Sequence, residues 1–278
     1  MSTADMIEAV RSAVLDEVSL SPEQFYPEDV ENIKTSTYAI KRFMICVRAA
    51  NDGHLLEKST EEIVKNLRWR KEVKILERRE ETFPPPFFET KLIGYGQNQV
   101  NGRKLLYINT KIYRRQPELT SHFHAFGNAL FDRIDKELIA ADEENGRNKS
   151  MDLFLDLSDI SIQNADVNFL RYYINLLVYE FPLILNNCYL FEPPWYIKPI
   201  ISVFLSVMPK TFTRRVKLVD RKLAIQLLGE EGVPETAGGK LVTYIPPPKG
   251  CPSVEEYGKM HNIPESVIKK ALKDYKLV

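Results

Sequence analysis

Apolar residues in the N-terminal part of the chain recur at spacings of three and four. Ile40, Phe43, Met44 and Val47 share one helix face, and the pattern runs through residues 4 to about 75. Asn51-Asp52-Gly53 interrupts it, and Leu55 to Val73 resumes it, with Ser59 to Glu62 suggesting a helix start. An all-helical unit is predicted there. The run Arg68-Trp69-Arg70-Lys71 reads as a solvated helix face with Trp69 packed inward, in preference to a phosphate contact.

Pro84-Pro85-Pro86 forbids helix and marks a boundary, because each ring fixes φ and removes a donor. The period then changes. Leu92 to Tyr95 and Leu105 to Asn109 are short β-rich runs whose connection contains Asn101-Gly102, a hairpin signature. A helix from about Thr120 to Ala141, an apolar run from Met151 to Leu157, a helix over Asp166 to Tyr179 and an extended run over Asn187 to Phe191 follow. Leu153-Phe154-Leu155 is apolar on both faces, as in a strand covered on either side. The fold class predicted is α/β, with a short strand over Arg215 to Val219 and a helix over Lys222 to Leu228. The expected division is 1–82 as a helical N-terminal domain, 83–245 as the α/β domain, and 246–278 as a C-terminal helical appendage, packed or partner-facing.

Trp195 to Met208 breaks the usual amphipathic rule, since Ser202 and Ser206 are the only polar residues after Lys198. Such a helix is expected to be covered on nearly all sides by protein, ligand or membrane. Periodicity leaves open whether it is an ordinary core helix. It is cut by Lys198 and Pro199 and is shorter than the roughly 20 residues a spanning helix needs.

Composition narrows the function classes. The chain has 278 residues, 44% hydrophobic and 27% charged, enough to bury a sizeable core. Lys plus Arg equals Asp plus Glu at 38 each, so no net field draws the molecule to nucleic acid or an anionic surface. Cys46, Cys188 and Cys251 form no C-x-x-C pair, which fits a reducing compartment, and residues 1–20 lack a secretory pattern. A cytoplasmic protein is expected.

Candidate chemistry is sparse. Gly238-Gly239-Lys240 lacks the other parts of a phosphate loop, and no G-x-S-x-G elbow occurs. His122 and His124 have no third metal ligand nearby in sequence, and Asp152 with Asp156 reads as strand-end aspartates bonding backbone amides rather than an acid pair. Neither an enzyme nor a metal or other cofactor is expected.

A set of short motifs occurs in order over residues 40 to 240: Ile40 to Met44; Leu67 to Lys71; Tyr95 with Asn101-Gly102-Arg103; Leu155 to Ser161; Phe181-Pro182; Phe191 to Trp195; and Val233 to Gly239. This set resembles the CRAL-TRIO lipid-binding family. The resemblance implies a mixed β-sheet floor with helices forming an apolar lipid cavity, preceded by a small all-helical N-terminal domain. It also implies that the segment from Trp195 is a mobile gate, with Ile200, Ile201, Phe204, Leu205 and Met208 facing lipid when closed and membrane when open.

By the same resemblance, Tyr95, Ser161 and Gln163 fall where relatives place polar groups against a phosphocholine head. Leu183 and Arg215 fall where phosphatidylinositol-transferring relatives carry an acid and a lysine, so the acid is missing. A phospholipid, a sterol-like ligand and an isoprenoid all remain open. The expected partners are one bound lipid ligand and a transient membrane surface, with no nucleic acid. The alternative is a protein-interaction or tethering module with a vestigial cavity, binding a protein partner through its terminal helices.

Overall fold

The computed structural model describes residues 2–49, 54–145, 150–161 and 166–277. Helices α1 (Thr3–Ser19), α2 (Pro27–Thr35), α3 (Thr37–Ala49) and α4 (Leu55–Glu72) form the N-terminal unit. Their apolar stripes, including Val10, Val14, Ile40, Phe43 and Ile63, meet in a core of their own. The start of α1 is fixed by a reciprocal cap between Ser2 and Asp5.

One-turn helix α5 (Pro86–Glu89) leads into the hairpin strands β1 (Ile93–Gln97) and β2 (Lys104–Asn109), which pair antiparallel with Gly102 at φ 68° in the turn. Then come α6 (Thr120–Asn145), β3 (Met151–Asp156), α7 (Val167–Asn175), continued by a π-helical turn (Leu176–Glu180), and β4 (Leu185–Phe191). The chain goes on through α8 (Lys198–Ser206), α9 (Lys210–Thr213), β5 (Val216–Val219) and α10 (Arg221–Leu228). The sheet is mixed and five-stranded, in the order β1-β2-β3-β4-β5, with β2 to β5 parallel.

That order has a geometric consequence. Each parallel crossover steps to the next strand in the same direction, and crossovers of one hand then place their connections on one face of the sheet. Residues of α6, α7 and α8 share a core cluster with Leu106, Ile108, Leu153, Leu155 and Leu190. The alternate residues Leu105, Tyr107, Phe154, Tyr189 and Phe191 pack on α10 and on Val233, Ala237 and Leu241 across the other face. A bulge at Asn186 and Asn187 is filled by Asp152, which accepts from the Asn186 side chain at 2.7 Å and the Asn187 amide at 3.1 Å. Asp156 accepts from the Ser158 amide and hydroxyl at 3.0 and 2.5 Å and from Tyr107 at 2.9 Å.

The N-terminal unit is fastened to the α/β part by buried polar contacts. Arg42 makes a bidentate pair with Asp135 of α6 at 2.7 and 2.8 Å and donates to the Pro182 carbonyl at 2.7 and 2.9 Å. Arg70 spans Asp29 and Asp132 at 2.7 and 2.8 Å, so the basic run ending α4 is not a uniformly solvated face. Arg70 is held by carboxylates on two elements, while Trp69 turns inward with its ring edge-on to Phe181.

The C-terminal helices α11 (Val254–Met260) and α12 (Glu265–Asp274) fold back onto α5 and the start of α6. Tyr257 is buried between Phe83 and Phe87 and bonds His122, and Gln116 donates to Asp274 at 2.6 Å.

Candidate functional site

The three helices lying over one sheet face do not fill the space above it. A cavity of about 110 Å³ remains. Its floor is the row of side chains that strand alternation turns toward the helices: Ile108, Leu153, Leu155, Cys188, Leu190 and Val216. The walls come from Phe131 of α6 and from Phe169, Leu170, Tyr173, Ile174 and Leu177 of α7 and its π-helical turn. Burial in this apolar lining pushes the Cys188 thiol up to about 12.

The roof is the apolar segment. Ile197, Ile200, Ile201, Phe204 and Leu205 line the cavity, at the spacing of a single helix face. The opposite face is bare: Val203 is 69% and Val207 73% exposed. The segment is therefore not a core helix, and the protein leaves its outer side uncovered. Trp195 lies outside the cavity, 81% exposed and edge-on to Tyr196, whose hydroxyl donates to the Ile160 carbonyl at 2.6 Å. Met208 is half-buried against the main core. Exposed Lys198, Lys210 and Arg214 flank the bare face in sequence.

Polar groups reach the cavity beyond the C-terminal end of β2. Thr110, Tyr113 and Asp166 line it there, and the Tyr113 hydroxyl donates to the Asp166 carboxylate at 3.0 Å. Burial and that neighbouring carboxylate raise the Tyr113 phenol, which stays protonated. Asp166 also caps α7, accepting from the Asn168 and Phe169 amides at 3.1 and 3.0 Å. Sequence reasoning recognised this helix start but not its second role. Local pattern marks an N-cap, whereas its facing a cavity depends on where α7 lies over the sheet.

Among the described residues, Tyr95 and Arg215, two of the positions singled out for a headgroup, stand at opposite edges of the sheet. Tyr95 stands on the edge strand β1, where it donates to Glu137 at 3.3 Å below the Arg133 guanidinium, away from the cavity lining. Arg133 in turn bonds Glu80 at 2.8 Å. Arg215 is half-buried and donates to the Leu185 carbonyl at the bulged end of β4. Leu183 nearby adopts φ 66°. Ser161 is half-buried next to the lining residue Ile160, and Gln163 lies outside the described residues.

The two central histidines diverge. His122 Nδ1 is 2.8 Å from the Tyr257 hydroxyl, and His124 stacks on Tyr172 at 3.6 Å. Among the described residues no group of His, Cys, Asp and Glu side chains is arranged to hold a metal, and no helix is long and apolar enough to cross a membrane.

The architecture is similar to that of a solved structure titled "Crystal structure of Sfh5". The TM-score is 0.63 at 15% identity, over 90% of this chain and 96% of the other, so the likeness is one of fold and includes the helical N-terminal unit. Residues 88–239 match the CRAL/TRIO domain. The match takes in the sheet, the crossover helices and the apolar roof, which is more than half of the sequence, and the chain belongs to the CRAL/TRIO domain family of lipid-binding proteins.

Proposed function

We propose that the protein holds a single lipid between the sheet and α8, exchanges it at membrane surfaces, and performs no chemistry on it. The observation that carries this reading is the two-sided apolar character of α8. Its inner face lines an apolar cavity, and its outer face presents Val203 and Val207 to water.

The cavity in this closed form is small for a lipid. An enclosed space of ~150 Å³ takes one benzene, so about 110 Å³ admits only part of a lipid until α8 yields. Burial of acyl or ring carbons contributes roughly 0.8 kcal/mol per CH₂. About ten such groups offset the loss of freedom on capture. At a bilayer the same side chains are covered by acyl chains, and Lys198, Lys210 and Arg214 meet anionic headgroups, so opening costs least where lipid is available. The absence of catalysis is supported by the engagement of Asp152 and Asp156 in structural hydrogen bonds and by the separate partners of His122 and His124.

Native mass spectrometry after incubation with mixed-lipid vesicles is expected to show one lipid per chain. Phe204→Asp, which puts a carboxylate into the roof, should lower transfer between vesicles at least tenfold while circular dichroism stays unchanged. Protein that remains empty after extraction from cells and after vesicle incubation would overturn the proposal.

A further inference from the structure

A second apolar cavity, of about 60 Å³, lies between the C-terminal helices and the start of α6, lined by Phe87, Thr90, Phe123, Ile268, Leu272 and Tyr275 among others. Two parts of the chain run from one cavity to the other. Thr90 lines the second and Leu92, just beyond it, the first. On α6, Phe123 faces the second cavity and Phe131 the first, and their spacing of two i,i+4 steps puts them on one stripe about 12 Å apart. Midway along that stripe is Gly127, where the tip of the Tyr173 ring fills the place of a side chain. A Cβ at Gly127 would stand 2.4 Å from Tyr173 Cε1. Glycine inside a helix is unfavourable, and this one admits the ring. Tyr173 is buried and lines the first cavity, its ring is 4.7 Å from that of Phe169, and its hydroxyl donates to the Phe123 carbonyl at 2.7 Å. The ring is thus fixed between two apolar spaces.

We infer that Tyr173 determines specificity for chain length: its ring ends the first cavity at Gly127 and limits how long a hydrocarbon chain the protein accepts. The second cavity is the space a longer chain enters once the ring is cut back. This rests on the reading of the first cavity as a lipid site. Each methylene that gains buried room favours binding by roughly fourfold. Admitting two or more is therefore expected to favour a longer chain by about tenfold or more.

The test uses the full chain and vesicles holding equal amounts of phosphatidylcholines with saturated chains from lauroyl to behenoyl. A second arm offers the free fatty acids of the same lengths together with cholesterol. Native mass spectrometry reads the lengths bound. The wild type is expected to show a sharp upper limit. Tyr173→Leu removes the ring but keeps the site apolar, and should raise the ratio of chains just above that limit to chains just below it by about tenfold or more. Tyr173→Phe keeps the ring and should keep the limit. Gly127→Ala adds a methyl group that pushes the ring toward the first cavity, so it should move the limit to shorter chains however well Tyr173→Leu folds. Four results overturn the inference while lipid carriage stands: no upper limit in the wild type, uptake of cholesterol alone, a shift in Tyr173→Phe as large as in Tyr173→Leu, or a limit unmoved in both Tyr173→Leu and Gly127→Ala, including a loss of uptake equal at all lengths. No uptake of any lipid by the wild type overturns both.

Discussion

Arg42 is 6% exposed and Asp135 8%, and they meet where α3 crosses α6. Taking the two charges out of water is costly, and the geometry compensates with two parallel hydrogen bonds and the Pro182 carbonyl as a further acceptor. Removing one partner leaves a buried charge without compensation. Arg42→Met is expected to lower the unfolding free energy by about 3–5 kcal/mol, read by urea denaturation. The double variant Arg42→Met/Asp135→Leu should recover most of that loss, because it removes the stranded carboxylate with its partner. A double variant as unstable as the single one would show that the pair is not what matters at this junction.

Among the elements, the C-terminal pair α11 and α12 responds to proton balance. His122 on α6 faces Tyr257 and His261, and burial, followed by the neighbouring His261 and Arg78, holds its imidazole down to about 4. In the unfolded chain it titrates near 6.5. Between those values the unfolded form binds a proton that the folded form refuses, so stability falls as pH drops through that window and is fully present above it. Urea midpoints at pH 7, 6 and 5 should decline, and His122→Gln should flatten the decline. An unchanged slope in the variant would remove His122 from the explanation.

The elements also show how much the chain order revealed. The hairpin at Asn101-Gly102, the alternation from Thr120 to Phe191 and the apolar segment after Pro194 were all legible, since each is set by local period or turn chemistry. The two faces of α8 were not. Ile201 and Val203 are both apolar, and only the core beneath one of them makes their surroundings differ. Tyr95 illustrates the opposite limit. The resemblance gave it a headgroup role, and nothing in the chain order signals that a glutamate and an arginine from α6 meet its hydroxyl and ring.

For the whole molecule, the sequential strand order governs how the roof can move. Segment α8–α9 is the crossover between β4 and β5, so both of its ends are tied into neighbouring parallel strands. Pro193-Pro194 stiffens one end, and Met208-Pro209 leads into α9 at the other. Such a tether cannot float free as a detached flap would. On the proposed carrier reading, outward travel of α8 would pull on β5, a four-residue edge strand held to β4 alone, with Val216 and Lys217 half-buried and Leu218 exposed. On that reading the entry rate of cargo is linked to fraying of one sheet edge. Amide hydrogen exchange at Val216–Val219 should quicken with vesicles and slow once a lipid is bound, while exchange in β2 and β3 stays unchanged. On the proposed reading the outermost strand acts as the spring of the door.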